Sequence, residues 1–435
     1  MIKASISLQD LRRRIYRKAK SDKAHRFWGI FVHVTKTETL HEAYRLSKRN
    51  GGAHGVDGLT FDDVEAMGRD QFIEDIRQEL INGTYRPQKN RRVDIPKDNG
   101  KIRTLQIPCI RDRVVQGALK QILEAIFEAD FCDNSYGYRP KRSPHRALAE
   151  VRRSVMRRMS NVVDVDLSSY FNTIQHSKLL NLIAKRVQDP EVLKLVKQII
   201  RATGRVGVPQ GGPFSPLAAN IYLNEVDWAF DAIRRQTAQG SYEAVNYHRF
   251  SDDIVITVSG HWTKRGWAQR AMERLQEELA PLGVRINRDK TRIVNTLKGE
   301  AFTFLGFDFR RVPKKRKDGH FILMTPKKKA RKAVKAKIRD IIHNGGATPS
   351  KELVSKINEV LAGWVIYFRI GNSSRAFSEV RDYVEMKVRT LLSRRKRRNK
   401  RSIGWRRWSN EYLYGVLGLY WDWKIYPLKG ADCYK

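Results

Sequence analysis

Between Val162 and Ile286, apolar runs of strand length alternate with longer amphipathic stretches, and acidic residues fall where strands end. Val162-Val163-Asp164-Val165-Asp166 is short, apolar and closed by a carboxylate, which reads as a buried strand. Helical periodicity follows at roughly 176–187, 190–202 and 213–236, with Leu217, Ile221, Asn224, Trp228 and Ile233 near one face of the last. Ala244–Phe250 and Ile254–Val258 are two strand-like runs joined at Ser251-Asp252-Asp253, a hairpin with two acids at its tip. A helix over 264–280 and a strand over Gly283-Val284-Arg285-Ile286 complete the series. Strand, helices, strand, strand, helix, strand is a split βαβ order, and the fold class is α+β. In such a sheet the first strand lies beside the hairpin. Asp166 then comes next to Asp252 and Asp253 despite the long stretch of chain between them.

Asp is common at hairpin tips, so an isolated pair there is most often only a turn. Convergence with a third acid changes the reading. Clustered carboxylates repel one another unless a cation joins them. Hard divalent ions prefer carboxylate oxygens, and magnesium keeps its remaining positions for phosphates and water. Two such ions, roughly 3.5–4 Å apart, activate a hydroxyl and stabilise a leaving pyrophosphate. Asp164 competes with Asp166 for the third position. Asp166 is preferred because Leu167-Ser168-Ser169-Tyr170-Phe171 follows it.

The chain has 435 residues, which is more than one hydrophobic core holds, and 41% hydrophobic residues, which suffice for real cores. Lys and Arg number 85 against 46 Asp and Glu, a net charge of +39. A polyanionic partner relieves that self-repulsion, and nucleic acid does so through phosphate neutralisation. No apolar run approaches the roughly 18 residues of a spanning helix, so a membrane partner is not expected. The N-terminal basic residues have no apolar block behind them, which excludes a secretory signal. Cys109, Cys132 and Cys433 are far apart and form no C-x-x-C pair, so neither a disulfide frame nor a cysteine zinc site is indicated. A reducing cytoplasmic, nucleoid-associated location fits.

Four segments are expected. Residues 1–90 are basic and helical, and 91–310 carry the chemistry. Residues 311–392 read as helical from about 325, with Pro326 suited to a first helical turn. Residues 393–435 open with the cationic run Arg394 to Arg401 and close with aromatics.

Asp166 to Phe171 resembles motif A of reverse transcriptases, and of the group II intron subfamily in particular. Val208-Pro209-Gln210-Gly211-Gly212-Pro213-Phe214-Ser215-Pro216-Leu217-Ala218-Ala219-Asn220-Ile221-Tyr222-Leu223 closely matches a long family motif. In it Gln210 is the polar nucleotide contact and Pro213 begins a helix. The hairpin matches the family's Tyr-Ala-Asp-Asp motif as Phe250-Ser251-Asp252-Asp253, with both acids kept. Asn172 stands where the family commonly has Asp. Leu282 to Thr291 resembles motif D, and Phe304-Leu305-Gly306-Phe307 the primer-grip turn. Ile95 to Arg103 resembles the fingers hairpin, and Ser135-Tyr136-Gly137-Tyr138-Arg139-Pro140 a second fingers motif. Leu361 to Arg369, Asn372 to Arg375, Gly404 to Trp408 and Gly418 to Tyr420 resemble the thumb, or maturase, domain.

The resemblance implies a right-hand polymerase, with fingers and a split-βαβ palm followed by a helical thumb. It implies two Mg2+ ions, replaceable by Mn2+, on Asp166, Asp252 and Asp253, with Lys290 as general acid. Lys97, Arg103, Phe171 and Gln210 would bind the deoxynucleoside triphosphate, with Phe171 excluding a 2′-hydroxyl. Arg139, Lys328, Lys332, Arg369, Arg394 and Arg397 would bind nucleic acid. The partners implied are an RNA template, a DNA or RNA primer and intron RNA. No Cys-rich endonuclease segment is expected beyond Trp423.

Three roles compete. The first is an intron-encoded RNA-directed DNA polymerase and splicing maturase. The second is a free-standing relative in DNA repair or phage defence, which the Phe-Ser departure at the hairpin favours. The third is a splicing module with a dead polymerase, against which the three retained aspartates argue.

Overall fold

The computed structural model describes residues 7–427 apart from 97–101, 239–242, 315–317 and 396–406. Its strands are β1 (Arg91–Pro96), β2 (Ile102–Ile107), β3 (Asn161–Asp166), β4 (Val245–Phe250), β5 (Asp253–Val258), β6 (Arg292–Asn295), β7 (Ala301–Phe304), β8 (Phe307–Pro313) and β9 (His320–Pro326). With the helices between them they make an α+β chain. Among the described residues no helix is long and apolar enough to cross a membrane. The chain forms two compact units. One comprises Met1–Ser143, Val165–Ile256 and Gln269–Arg292; the other comprises Pro144–Asp164, Thr257–Ala268 and Ile293–Lys435.

In the first unit, helix Ile110–Phe127 is buried on nearly every side, through Val114, Ala118, Leu119, Ile122, Leu123 and Ile126 among others. Helices Leu8–Ser21 and Thr37–Asn50 pack on it with their apolar stripes. Ser7 caps the first of these by accepting from the Asp10 backbone N–H. β1 and β2 pair antiparallel, as the hairpin reading required, with Ile95 opposite Arg103.

The hydrogen-bonded order β4-β5-β3-β6 puts the first strand beside the hairpin, as the split βαβ order predicts. Two details differ. The Gly283–Ile286 run is not the fourth strand. Gly283 takes a left-handed turn (φ 73), and only Ile286 pairs, with Leu167, before Asn287 starts a new turn; β6 is Arg292–Asn295. Pro213 does not start the following helix, which is Ser215–Thr237 with Pro216 in its first turn. The face read from Leu217 to Ile233 also fails at Trp228, which is exposed. The buried stripe there runs through Val226, Asp227, Phe230 and Asp231.

The second unit holds a three-stranded antiparallel sheet, β7-β8-β9. Pro326 ends β9 opposite Phe307, and the next helix starts two residues later at Lys328. Helices Lys328–Asn344, Ser350–Phe368 and Ser374–Arg395 enclose Val334, Ile338, Ile357, Leu361, Val380, Val384 and Val388. The closing segment seals this core with Trp408, Leu413, Leu417 and Leu419. Polar bonds fix its path. Arg389 Nε donates to the Trp408 carbonyl at 2.9 Å, and Asn358 Nδ2 to the Gly418 carbonyl at 2.7 Å.

Candidate active site

Asp166 stands at the end of β3, where the backbone is tied to a distant turn. Its carbonyl accepts from the Asn287 N–H at 2.8 Å, and the Ser168 N–H donates to the Arg285 carbonyl at 2.8 Å. The same turn supplies partners for the carboxylate. Asn287 Nδ2 lies 3.2 Å from Oδ2, and Lys290 Nζ lies 3.2 and 3.1 Å from the two oxygens. The Lys290–Asp166 pair is half-exposed, so solvent screens it and its contribution to stability is small. What it shows is that this carboxylate attracts a cation.

Asp252 lies at the apex of the β4–β5 hairpin. It lines the same cleft as Asp166, a cavity of about 610 Å³ also walled by Tyr138, Phe171, Gln210, Ser215, Asn287 and Lys290. Asp253 opens β5, is exposed, and is not among the lining residues. Among the described residues no three His, Cys, Asp or Glu side chains group as an ion site. Two hard-oxygen carboxylates facing one cleft, with an ammonium drawn onto one of them, do fit a divalent cation.

The walls are held by backbone contacts. Ser169 takes a left-handed conformation (φ 48) and starts the short helix Tyr170–Thr173. The buried Tyr170 hydroxyl donates to the Ala219 carbonyl at 2.6 Å, and the Phe171 carbonyl accepts from the Val208 N–H at 2.9 Å. Phe171 is thereby fixed in the cleft wall. The Gln210 carbonyl accepts from the Gln106 N–H at 3.0 Å, which ties the Gln210-Gly211 turn to β2. Gly211 has φ 128, a conformation that side chains rarely adopt.

The hairpin apex rests on the segment 134–138. Ser135 bridges Arg249, and the Tyr136 N–H donates to the Arg249 carbonyl at 2.9 Å. A Cβ at Gly137 would lie 2.5 Å from the Ser251 backbone nitrogen, so only glycine permits this approach.

Some expected contacts are elsewhere. Arg139 is turned inward. It is buried, its guanidinium bonds Glu128 at 2.8 and 3.0 Å and the Cys132 and Ser135 carbonyls, and it lies over the Phe131 ring. Arg369 is likewise engaged. It pairs with Asp422 at 2.7 Å, which holds that carboxyl below the usual range, and it sits over Tyr426. Lys328, Lys332 and Arg394 are exposed. Lys97, Arg397 and the Arg103 side chain lie outside the described residues. Sequence reading missed Asp227 and Arg249, which form a fully buried ion pair behind the hairpin. No local signal marks the pair, since Asp227 has Asn224, Glu225 and Asp231 nearby and Arg249 follows Asn246 and His248.

The model of reverse transcriptase (RNA-dependent DNA polymerase) domains matches residues 95–309. The model of the group II intron maturase-specific domain matches residues 331–411. Protein YkfC of Escherichia coli K12 is 33% identical over 367 residues, covering 74% of this chain and 94% of the relative. The group II intron-encoded protein LtrA of Lactococcus lactis is 34% identical over 347 residues, covering 65% of this chain and 57% of the relative. Nuclear intron maturase 4, mitochondrial, of Arabidopsis thaliana is 25% identical over 279 residues, covering 61% of this chain and 33% of the relative.

Proposed function

The chain belongs to the group II intron-encoded reverse transcriptase and maturase family, and from that premise we propose that it copies RNA into DNA in the cleft between Asp166 and Asp252. The observation that carries the reading is that these two carboxylates face one cleft with Phe171, Gln210 and Lys290.

Asp166 and Asp252, joined by Asp253 at the same hairpin, would hold two Mg2+ ions, with Mn2+ as a substitute. Ions bound there would supply activation of the primer's 3′-hydroxyl and charge neutralisation on the triphosphate. Lys290 now spans both oxygens of Asp166. From that place its ammonium would give a proton to the leaving pyrophosphate. Gln210 contacts the incoming nucleotide. Phe171 lies under its sugar and blocks a 2′-hydroxyl. Lys97 and Arg103 grip the triphosphate.

In this reading residues 1–90 begin the fingers, 91–310 form fingers and palm, 311–392 form the thumb, and 393–435 form a basic tail. The exposed Lys328, Lys332 and Arg394, with Arg397, bind template–primer and intron RNA through phosphates. The relatives named as intron proteins favour the maturase role over free-standing repair or defence, for which only Phe250-Ser251 speaks.

Two substitutions test the cleft. Phe171→Ala should ease ribonucleotide entry. The check is the ratio of kcat/KM for a deoxynucleotide and its ribonucleotide, and an unchanged ratio removes the gating role. Gly137→Ala forces backbone at Ser251 to move, and a misplacement of about 1 Å near the chemistry costs roughly 100-fold. Extension should fall by roughly tenfold or more, with RNA affinity kept. Parent-like extension would mean that the apex position does not matter.

A further inference from the structure

Arg249 has no exposed surface, and neither does Asp227, its partner across β4 and helix Ser215–Thr237. Nε and Nη2 of Arg249 donate to the two Asp227 oxygens at 2.7 and 2.5 Å. Nη1 points the other way, to Asn220 Oδ1 at 3.0 Å and the Ser251 carbonyl at 3.1 Å. Asn220 in turn donates from Nδ2 to the Gly137 carbonyl at 2.8 Å. Asn220 and Asp227 are close to two helical turns apart, so one helix face presents both to the guanidinium. One cation thus joins three backbones: the long helix, the hairpin apex and the turn at Gly137.

Stability alone is a poor reason for this arrangement. Two charges stripped of water cost desolvation that their attraction barely offsets, and an apolar pair of similar volume usually does as well. Burial pushes the Arg249 pKa down more than any single neighbour raises it, but the charge and hydrogen bonds of Asp227, with Tyr247 and Tyr170, together hold the pKa above the ordinary value. The geometry offers a better reason. Ser251 is in the left-handed region (φ 60), as is Tyr138 (φ 55), and non-glycine residues stay there only when surrounding contacts hold them. Arg249 grips the Ser251 carbonyl directly and the Gly137 carbonyl through Asn220. Asp252 and Tyr138, the residues that follow these two carbonyls, both line the cleft.

We propose that Arg249, oriented by Asp227 and Asn220, is a positioning residue that holds Asp252 and Tyr138 at fixed places in the cleft and thereby sets the cleft's affinity for divalent cations. The proposal rests on the reading of the cleft as the polymerase metal site. Asp227 is the anchor, since it takes two of the guanidinium's donors and leaves the third nitrogen free to reach the apex. Lysine replaces this action only in part, because an ammonium keeps the charge beside Asp227 but lacks the planar fork that spans Asp227 on one side and Asn220 with Ser251 on the other.

The test uses the full chain without RNA, with Mn2+ as the probe. Bound Mn2+ is measured by loss of the free-ion electron paramagnetic resonance signal, and thermal unfolding is followed in parallel. The Asp252→Asn variant defines which binding belongs to the cleft. The double variant Arg249→Met with Asp227→Leu replaces the ion pair by apolar groups and leaves no unpaired charge. Its cleft affinity for Mn2+ should fall roughly 10–100-fold, as loss of groups that orient metal ligands does elsewhere, with an unfolding temperature close to the parent's. Arg249→Lys should show a smaller loss in the same direction, and it decides the matter if the double variant does not fold. Parent-like Mn2+ affinity in a folded variant overturns the positioning role. If Asp252→Asn binds Mn2+ as the parent does, the metal-site reading fails instead, and the proposal falls with it.

Discussion

Replacing Asp252 with Asn should slow primer extension by about a thousandfold or more, while RNA affinity stays within a few-fold of the parent's. Asn has the same shape and keeps one oxygen, so the fold has no reason to change. It lacks the negative charge that holds a divalent ion. Metal clamping contributes several kcal/mol to the transition state, and about 1.4 kcal/mol is a factor of ten in rate. Asp166→Asn should act similarly, with Lys290 losing its ion-pair partner as well. Affinity for RNA is expected to survive because no single acid makes it: it comes from a surplus of 39 positive charges. Single-turnover extension and equilibrium binding, measured on the same preparations, separate the two effects. Equal rates in parent and variant would remove Asp252 from the site.

Raising salt from 50 to 200 mM should weaken binding to a template–primer duplex by roughly 10³–10⁵-fold, the loss that accompanies about 6–10 phosphate contacts. The net charge of +39 sets the direction of the effect, and the structure predicts which residues carry it. Lys328→Ala and Lys332→Ala should each lower the salt slope by about 1, since both side chains face solvent on one helix. Arg139→Met and Arg369→Met should leave the slope unchanged, because those cations already serve Glu128 and Asp422. A slope near zero would mean that the positive charge does not meet phosphate. A slope lowered by the Arg139 substitution would mean that its burial against Glu128 is not what holds it.

The hairpin and the strand beside it were readable from sequence because both signals are local. Short apolar runs mark the strands, and Ser251-Asp252-Asp253 joins two of them as a turn. Chain order then requires β3 beside β5 through the split βαβ rule. The maturase region was readable only through its resemblance to other proteins, since Trp364 and Phe368 by periodicity alone are simply core. What escaped depends on contacts between distant residues. Arg139 looked like a free cation because Glu128, its partner, precedes it by more than two turns of chain that then folds back. Arg249 looked like one more basic residue because nothing local shows that Asp227 waits behind it. Gly283-Val284-Arg285-Ile286 has the composition of a strand, yet its neighbour takes only one residue in pairing before Asn287 turns the chain to bring Lys290 onto Asp166.

The central claim is tested most directly by giving the purified chain an RNA template, an annealed DNA primer, the four deoxynucleoside triphosphates and Mg2+, and sequencing what forms. The account predicts DNA complementary to the template, lost when Mg2+ is chelated and restored when Mg2+ or Mn2+ is returned. A preparation that binds the primed RNA and yields no templated DNA with either ion would contradict it.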